Sequence, residues 1–211
     1  MWREASRYYL TYFILLMIGS GVLVANYNEI LHKNPTLETQ RLLLRKFSGD
    51  DAYDLFEWGS DPEVLKTLVW NGISTIDEAH DNIFNFYLSR PGIFAIQVKE
   101  SGKCIGCLDI RIDSDNEKTS FGYVLNRNFW GKGYMTEALR AVLEFCFVKL
   151  EINRVEANHY ITNPASGKVM EKAGMKKEGI TRQSVKVKGV LHDCVLYGIL
   201  REEWKDLNSV V

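Results

Sequence analysis

The 211-residue chain has little net charge, since 26 Lys and Arg against 27 Asp and Glu leave −1 at pH 7. So balanced a surface gives no electrostatic case for general nucleic-acid binding. Cysteine is scarce as well. Four of them, Cys104, Cys107, Cys146 and Cys194, are too few and too scattered for a disulfide framework in a chain this size, and they suit a reducing compartment. Cys104 and Cys107 have the spacing of a metal or redox pair, but no second Cys or His pair accompanies them, and no metal site is expected. They lie in a strand pattern, where residues three apart point to opposite faces, so both read as small buried hydrophobes. No break in composition divides the chain, and 46% apolar with 25% charged residues is ordinary for one well-buried domain.

Long apolar runs are absent except one. Tyr8 to Ala25 is uncharged, sits at the lower limit of a membrane span, follows Arg3 and Arg7, and shows no small-residue cleavage site. It reads as a membrane anchor, a docked apolar helix or an upstream segment foreign to the native protein. The domain pattern begins near Pro35, so residues 1–34 are set apart as an apolar extension and 35–211 as the domain. A cytoplasmic protein is expected, free or tethered through residues 8–25.

What the chain does have is a stretch from Asn126 to Glu144 around which the rest is organised. A strand-like run ending at Leu125 feeds a loop with Gly131 and Gly133, and a helix starts at once. Met135, Ala138, Leu139, Val142, Leu143 and Cys146 mark its buried stripe. Glycines before a helix start let backbone N–H groups turn toward a ligand, and the helix dipole adds partial positive charge, so this is an anion site or a tight turn. A Walker A loop is excluded because Gly133, not Ser or Thr, follows Lys132, and a dinucleotide fingerprint because position 136 is Thr136.

The remaining pattern places a first strand over Leu37 to Phe47. Two helices follow with caps at Ser48/Asp51 and Thr75/Glu78, the second with a stripe of Ala79, Ile83, Phe86 and Tyr87. Strands alternate around Phe94–Val98, Cys104–Ile112 and Thr119–Leu125, and another runs from Ile152 to His159. Asn163-Pro164 starts a helix that Gly174 ends, and two strands turn at Lys188-Gly189. This order predicts an α+β fold, a mixed and largely antiparallel sheet with one parallel step across the central helix.

Several pieces in one order, Thr39–Arg45 (TQRLLLR), Phe121–Leu125 (FGYVL), Trp130–Ala138 (WGKGYMTEA), Asn163–Met175 (NPASGKVMEKAGM) and Leu200–Trp204 (LREEW), resemble the GNAT N-acetyltransferase superfamily, in its RimJ/RimL-like, ribosomal-protein branch. The resemblance covers about residues 35–204. It implies helices on both faces of a sheet splayed at an acetyl-CoA site, with acetyl-CoA as co-substrate. The pyrophosphate loop lands on Asn128-x-x-Gly131-x-Gly133, with Asn128 departing from the usual Gln or Arg, and the N–H groups of Gly131, Lys132, Gly133 and Tyr134 would hold the pyrophosphate. Tyr123, Val124 and Leu125 would bond the pantetheine through their main chain, and Asn163 would touch that arm.

Direct acyl transfer needs a base for the amine and an acid for the leaving thiolate. A backbone N–H near Val124 is a candidate oxyanion donor. Relatives place a tyrosine acid where Met170 stands, so Ser166 is the candidate acid, or else a first-turn hydroxyl that assists capping. For the base, relatives carry Glu where Ser120 stands; Asp109, Glu156 and His159 are the alternatives. The acceptor is expected to be a primary amine, with a protein N-terminal α-amine ahead of a polyamine, amino sugar or antibiotic. A non-catalytic acyl-CoA sensor is the reading from another class, and oligomeric state, including a homodimer, is left open.

Overall fold

A computed structural model describes residues 27–209. Tyr8–Ala25, the candidate anchor, lies outside them. The strands are β1 (Leu37–Glu38), β2 (Leu42–Arg45), β3 (Ile93–Val98), β4 (Cys104–Asp113), β5 (Lys118–Leu125), β6 (Arg154–Tyr160), β7 (Lys176–Val187) and β8 (Val190–Leu200). The helices are α1 (Tyr27–Lys33), α2 (Ala52–Gly59), α3 (Pro62–Leu65), α4 (Ile76–Asn82), α5 (Tyr134–Val148), α6 (Pro164–Lys172) and α7 (Arg201–Asn208). One eight-stranded sheet runs β1-β2-β3-β4-β5-β6-β8-β7. Every neighbouring pair is antiparallel except β5–β6, which the α5 crossover makes parallel. The α+β, mostly antiparallel architecture expected from the sequence is the one found.

The two faces have separate cores. Leu42, Leu44, Leu108, Phe121, Val155 and Ile199 pack against the stripe of α5, whose six expected residues are all buried, and against Leu31 of α1 and Met170 of α6. Ala95, Cys107 and Val124 pack on the other face against Leu55 and Trp58 of α2, Val64 of α3 and Ala79 of α4. Burying a Leu, Val, Ile or Phe side chain contributes about 1.5–3 kcal/mol, so each of these helices is held mainly by its apolar face. Helix α1 falls in the stretch assigned to the extension, yet Leu31, Tyr27 and Ile30 pack on the first core. Among the described residues no helix is long and apolar enough to cross a membrane.

Three local expectations change. Leu37 to Phe47 is not one strand but β1 and β2, turned on each other where the Leu42 N–H donates to Thr39 Oγ1 at 2.9 Å. The stripe after α4 passes through a π-helical turn, Ile83–Tyr87, which widens the spacing, so Ile83 and Tyr87 are buried while Phe86 is exposed. Cys104 and Cys107 do not face apart. The β3–β4 register shifts between Ala95 and Gln97, the mark of a bulge, and both thiols enter the same core. Burial pushes Cys104 up to about 12 and Cys107 well above the ordinary thiol value, so neither is a reactive thiolate.

Candidate active site

The site begins where the sheet stops pairing. Strand β5 pairs with β4 along all eight residues, but with β6 only at Lys118, Thr119 and Ser120. Beyond Ser120 the two parallel strands pair with each other no further, and a wedge opens toward their C-terminal ends. The Asn126 N–H donates to the Ile105 carbonyl at 2.7 Å, and a Cβ on Gly106 would stand 2.2 Å from the Val124 carbonyl oxygen. Backbone groups of residues 122, 124 and 126 therefore face β4, and by alternation those of Phe121, Tyr123 and Leu125 face the wedge. This corrects the expectation for Val124. Its N–H is turned to β4, and its side chain lies in the second core; the amides turned to the wedge beside it are those of Tyr123 and Leu125.

The loop at the wedge mouth is fixed from several sides. Asn126, buried, accepts the Asn128 N–H at 2.9 Å and donates to Glu57 of α2 at 2.8 Å. The Trp130 indole N–H donates to the Leu125 carbonyl at 2.8 Å, and Arg127 pairs with Asp61 at 2.9 Å. Gly131 and Gly133 have φ of 71° and 80°, left-handed values that admit the turn into α5 without a Cβ penalty. Among the described residues no acceptor faces the N–H groups of Gly131, Lys132 or Gly133, and no side chain caps α5. Donors of this kind at a helix N-terminus form an anion site.

Sequence reasoning missed what braces this loop. Glu137, in the first turn of α5, accepts from the Thr39 hydroxyl at 2.6 Å, the Arg41 N–H at 2.8 Å and the Arg41 guanidinium at 2.6 Å. Arg41 also donates to the Lys132 carbonyl at 3.1 Å and lies 4.3 Å over the Tyr134 ring. Burial alone would raise the Glu137 carboxyl, but the Thr39 and Arg41 donors outweigh it and hold the group below the ordinary carboxylate value. The signal was present in the Thr39–Arg45 motif, but nothing local says that it reaches a residue 96 positions away.

Across the wedge stands α6. Asn163 is its N-cap residue but makes no side-chain capping bond, so its amide is not spent on the helix. Ser166, one turn in, has its hydroxyl 2.7 Å from Tyr123 Oη, which also donates to the Ser166 carbonyl at 2.9 Å. Tyr123 is thus brought together with Ser166 through its side chain, a contact that spacing could not show. Met170, where relatives carry tyrosine, is buried in the core.

The base candidates are not gathered at one point. Asp109 accepts from Arg111 at 3.0 Å and from the Gly122 N–H at 3.1 Å, on the α2–α4 face of the sheet. Glu156 shares that face, level with Ser120, and is paired with Arg154 and Lys118. Burial opposes its charge, but the two cations prevail and keep its pKa lowered. His159 is buried under α6, with Nδ1 2.7 Å from the Tyr160 carbonyl and its ring beside Tyr197; a Cβ on Gly167 would stand 2.6 Å from its Nε2. Lys188, in the β7–β8 turn, donates to the Leu65 carbonyl at 3.0 Å, so this hairpin reaches over to α3. Among the described residues no group of three His, Cys, Asp or Glu side chains is placed to hold a metal.

A splayed parallel strand pair that opens beneath a two-glycine helix start is the arrangement expected of an acyl-CoA site. The family model for the acetyltransferase (GNAT) domain matches residues 41–176, from the turn before β2 to the start of β7. The chain belongs to the GNAT acetyltransferase family. It is 37% identical over 174 residues, 80% of this chain and 98% of the relative, to "Uncharacterized N-acetyltransferase p20" of Bacillus licheniformis. Over 83 residues, 39% of this chain and 43% of the relative, it is 31% identical to the [ribosomal protein uS5]-alanine N-acetyltransferase of Escherichia coli. The crystal structure of a GNAT-family acetyltransferase from Bacillus anthracis superposes with a TM-score of 0.72 at 26% identity, covering 79% of this chain and 99% of that one. This GNAT protein is accordingly an N-acetyltransferase with acetyl-CoA as its co-substrate, which sets aside the sensor reading.

Proposed function

We propose that this GNAT enzyme acetylates the N-terminal α-amine of a protein by direct attack of the neutral amine on acetyl-CoA. The wedge carries the reading. Its free edge offers the Tyr123 main chain and the Leu125 N–H to the pantetheine amides, and the Gly131–Tyr134 N–H groups, with Lys132 beside them, receive the pyrophosphate. The Asn163 amide, unused as a cap, is left for the same arm. A wedge-facing N–H near Val124, that of Tyr123, takes the oxyanion role. Ser166 supplies the proton to the leaving thiolate.

The acceptor class rests on two supports. One is the relative named for ribosomal protein uS5. The other is the face beside the wedge, where the charges of Asp109 and Glu156 are each offset by Arg or Lys, which disfavours a polyamine. With both carboxylates paired and His159 beneath α6, deprotonation of the amine falls to water in the cleft rather than to a dedicated base.

The test is thiol release from acetyl-CoA by the full chain across peptides with varied N-termini, polyamines and aminoglycosides. Selective turnover with one class of peptide is expected. Turnover confined to small amines would overturn the acceptor assignment while leaving the acetyl-transfer site intact.

A further inference from the structure

Tyr123 enters the account above only through its backbone, yet its side chain makes a direct bridge between β5 and the reacting end of α6. Its hydroxyl has a single proton and two acceptors, the Ser166 carbonyl at 2.9 Å and Ser166 Oγ at 2.7 Å. Two arrangements satisfy these distances. In one, Tyr123 donates to the carbonyl and the serine proton is spent on Tyr123 Oη. In the other, Tyr123 donates to Oγ and the serine proton is free to point elsewhere. They differ only by rotation about two C–O bonds. Neither arrangement requires the tyrosine ring to move, and it is stacked on Phe121 at 5.9 Å and packed against the first core.

We propose that Tyr123 is the positioning residue for Ser166, turning its O–H between the serine carbonyl and Oγ so that the serine proton is released when the thiolate leaves. As the C–S bond breaks, its electron pair takes the Ser166 proton. The serine oxygen takes the Tyr123 proton in the same event, and the phenolate is refilled through solvent by the proton that the amine has lost. The net transfer is one proton from nitrogen to sulfur. Burial pushes the Tyr123 hydroxyl up to about 12, so it remains a protonated donor across the neutral range. A chain of two hydroxyls thereby does what a single tyrosine does in relatives, where this chain has Met170. The inference rests on the acetyl-transfer reading and on the role given to Ser166.

Tyr123→Phe keeps the ring and removes only the hydroxyl. The full chain, its Tyr123→Phe and Ser166→Ala variants and the double variant are compared for kcat, for KM toward acetyl-CoA and for thermal midpoint, which shows that each folds. Expected is a kcat about tenfold lower in Tyr123→Phe, within the range of general-acid effects, with KM for acetyl-CoA within about twofold. In the Ser166→Ala background the same change should cost nothing more. An unchanged kcat in Tyr123→Phe, or the same tenfold loss with and without Ser166, overturns the inference while the acetyl-transfer reading stands. Unchanged kcat in Ser166→Ala removes the serine role itself, and this inference with it.

Discussion

The two edges of β5 are built from the same eight residues and behave in opposite ways. Toward β4 every one of its residues is paired. Toward β6 pairing ends after Ser120, and the Tyr123 backbone groups and the Leu125 N–H are left at an open edge. Elsewhere an unpaired edge is a liability that a fold covers or charges. Here it is held open between two strands, each fully paired on its other side, since β6 keeps seven residues on β8. The site is thus made by withholding pairing where the scaffold around it is strongest. A pantetheine arm, itself carrying amides, would supply what the sheet leaves out.

The comparison is broken most completely by damaging the paired edge. Gly106 lies where β4 passes the Val124 carbonyl, and a Cβ there would meet that oxygen at 2.2 Å and the Leu125 Cα at 3.0 Å. Neither is a flexible side-chain end, so β4 and β5 must part. Gly106→Ala should cost about 3 kcal/mol of stability, at the upper end for overpacking, measurable as a lowered urea midpoint. Acetyl-CoA affinity should fall with it, because the wedge has lost its fixed wall. Full stability in this variant would show that β5 does not depend on its β4 pairing here.

Damage on the open side should have the reverse signature. A side chain on Gly131 meets nothing within 4 Å, so the protein has room for it. Its φ of 71° costs a substituted residue about 1–2 kcal/mol, a few degrees of melting temperature in a domain this size. The larger effect is a Cβ in the path of the pyrophosphate. Gly131→Val should fold cooperatively and lose roughly a hundredfold in acetyl-CoA affinity by calorimetry. Unchanged affinity would remove the loop from the cofactor site.

How much of this could be read beforehand follows from the range of each signal. The loop, the α5 stripe and the Asn163-Pro164 start are written in neighbouring residues, and periodicity and turn chemistry reveal such things. The Cys104–Cys107 faces were misjudged because a bulge, seen only in the β3–β4 register, resets the alternation. The amide near Val124 that points into the wedge is hidden for a related reason. Which backbone groups face the wedge depends on the pairing phase with β4, and a strand sequence does not state it. The Tyr123–Ser166 and Arg41–Glu137 contacts join positions 43 and 96 apart. Their meaning exists only once the sheet brings them together.

The Arg41–Glu137 clamp lies between the two regions, on the scaffold but touching the loop. Removing it should give an intermediate effect. In Arg41→Ala the Lys132 carbonyl loses a donor and Glu137 an ion-pair partner, so KM for acetyl-CoA should rise several-fold. With the Arg41 side chain 41% exposed, the stability cost should be at most about 1 kcal/mol. The pH dependence identifies the source. A carboxyl lowered in the folded state adds stability above its unfolded value, 4.5 for Glu, and loses it as pH falls through the lowered value. The gap in urea midpoint between wild type and Arg41→Ala should therefore be full at pH 7 and shrink below about pH 4.5. A gap independent of pH would mean that Arg41 acts by packing on Tyr134 rather than through Glu137.

The smallest expected change in stability is also the sharpest separation of site from scaffold. An asparagine at a helix N-cap normally contributes about 1 kcal/mol through its side-chain oxygen, and replacing it by Ala costs that much. At Asn163 the bond is not made, and Pro164 at the first helical position already dispenses with one N–H. Asn163→Ala should then leave the melting temperature unchanged within a degree or two. If its free amide serves the pantetheine arm, KM for acetyl-CoA should rise about five- to tenfold, as for one hydrogen bond lost. The opposite outcome, a lowered melting temperature with KM intact, would return Asn163 to the role of an ordinary cap. The pantetheine arm would then owe its contacts to backbone alone.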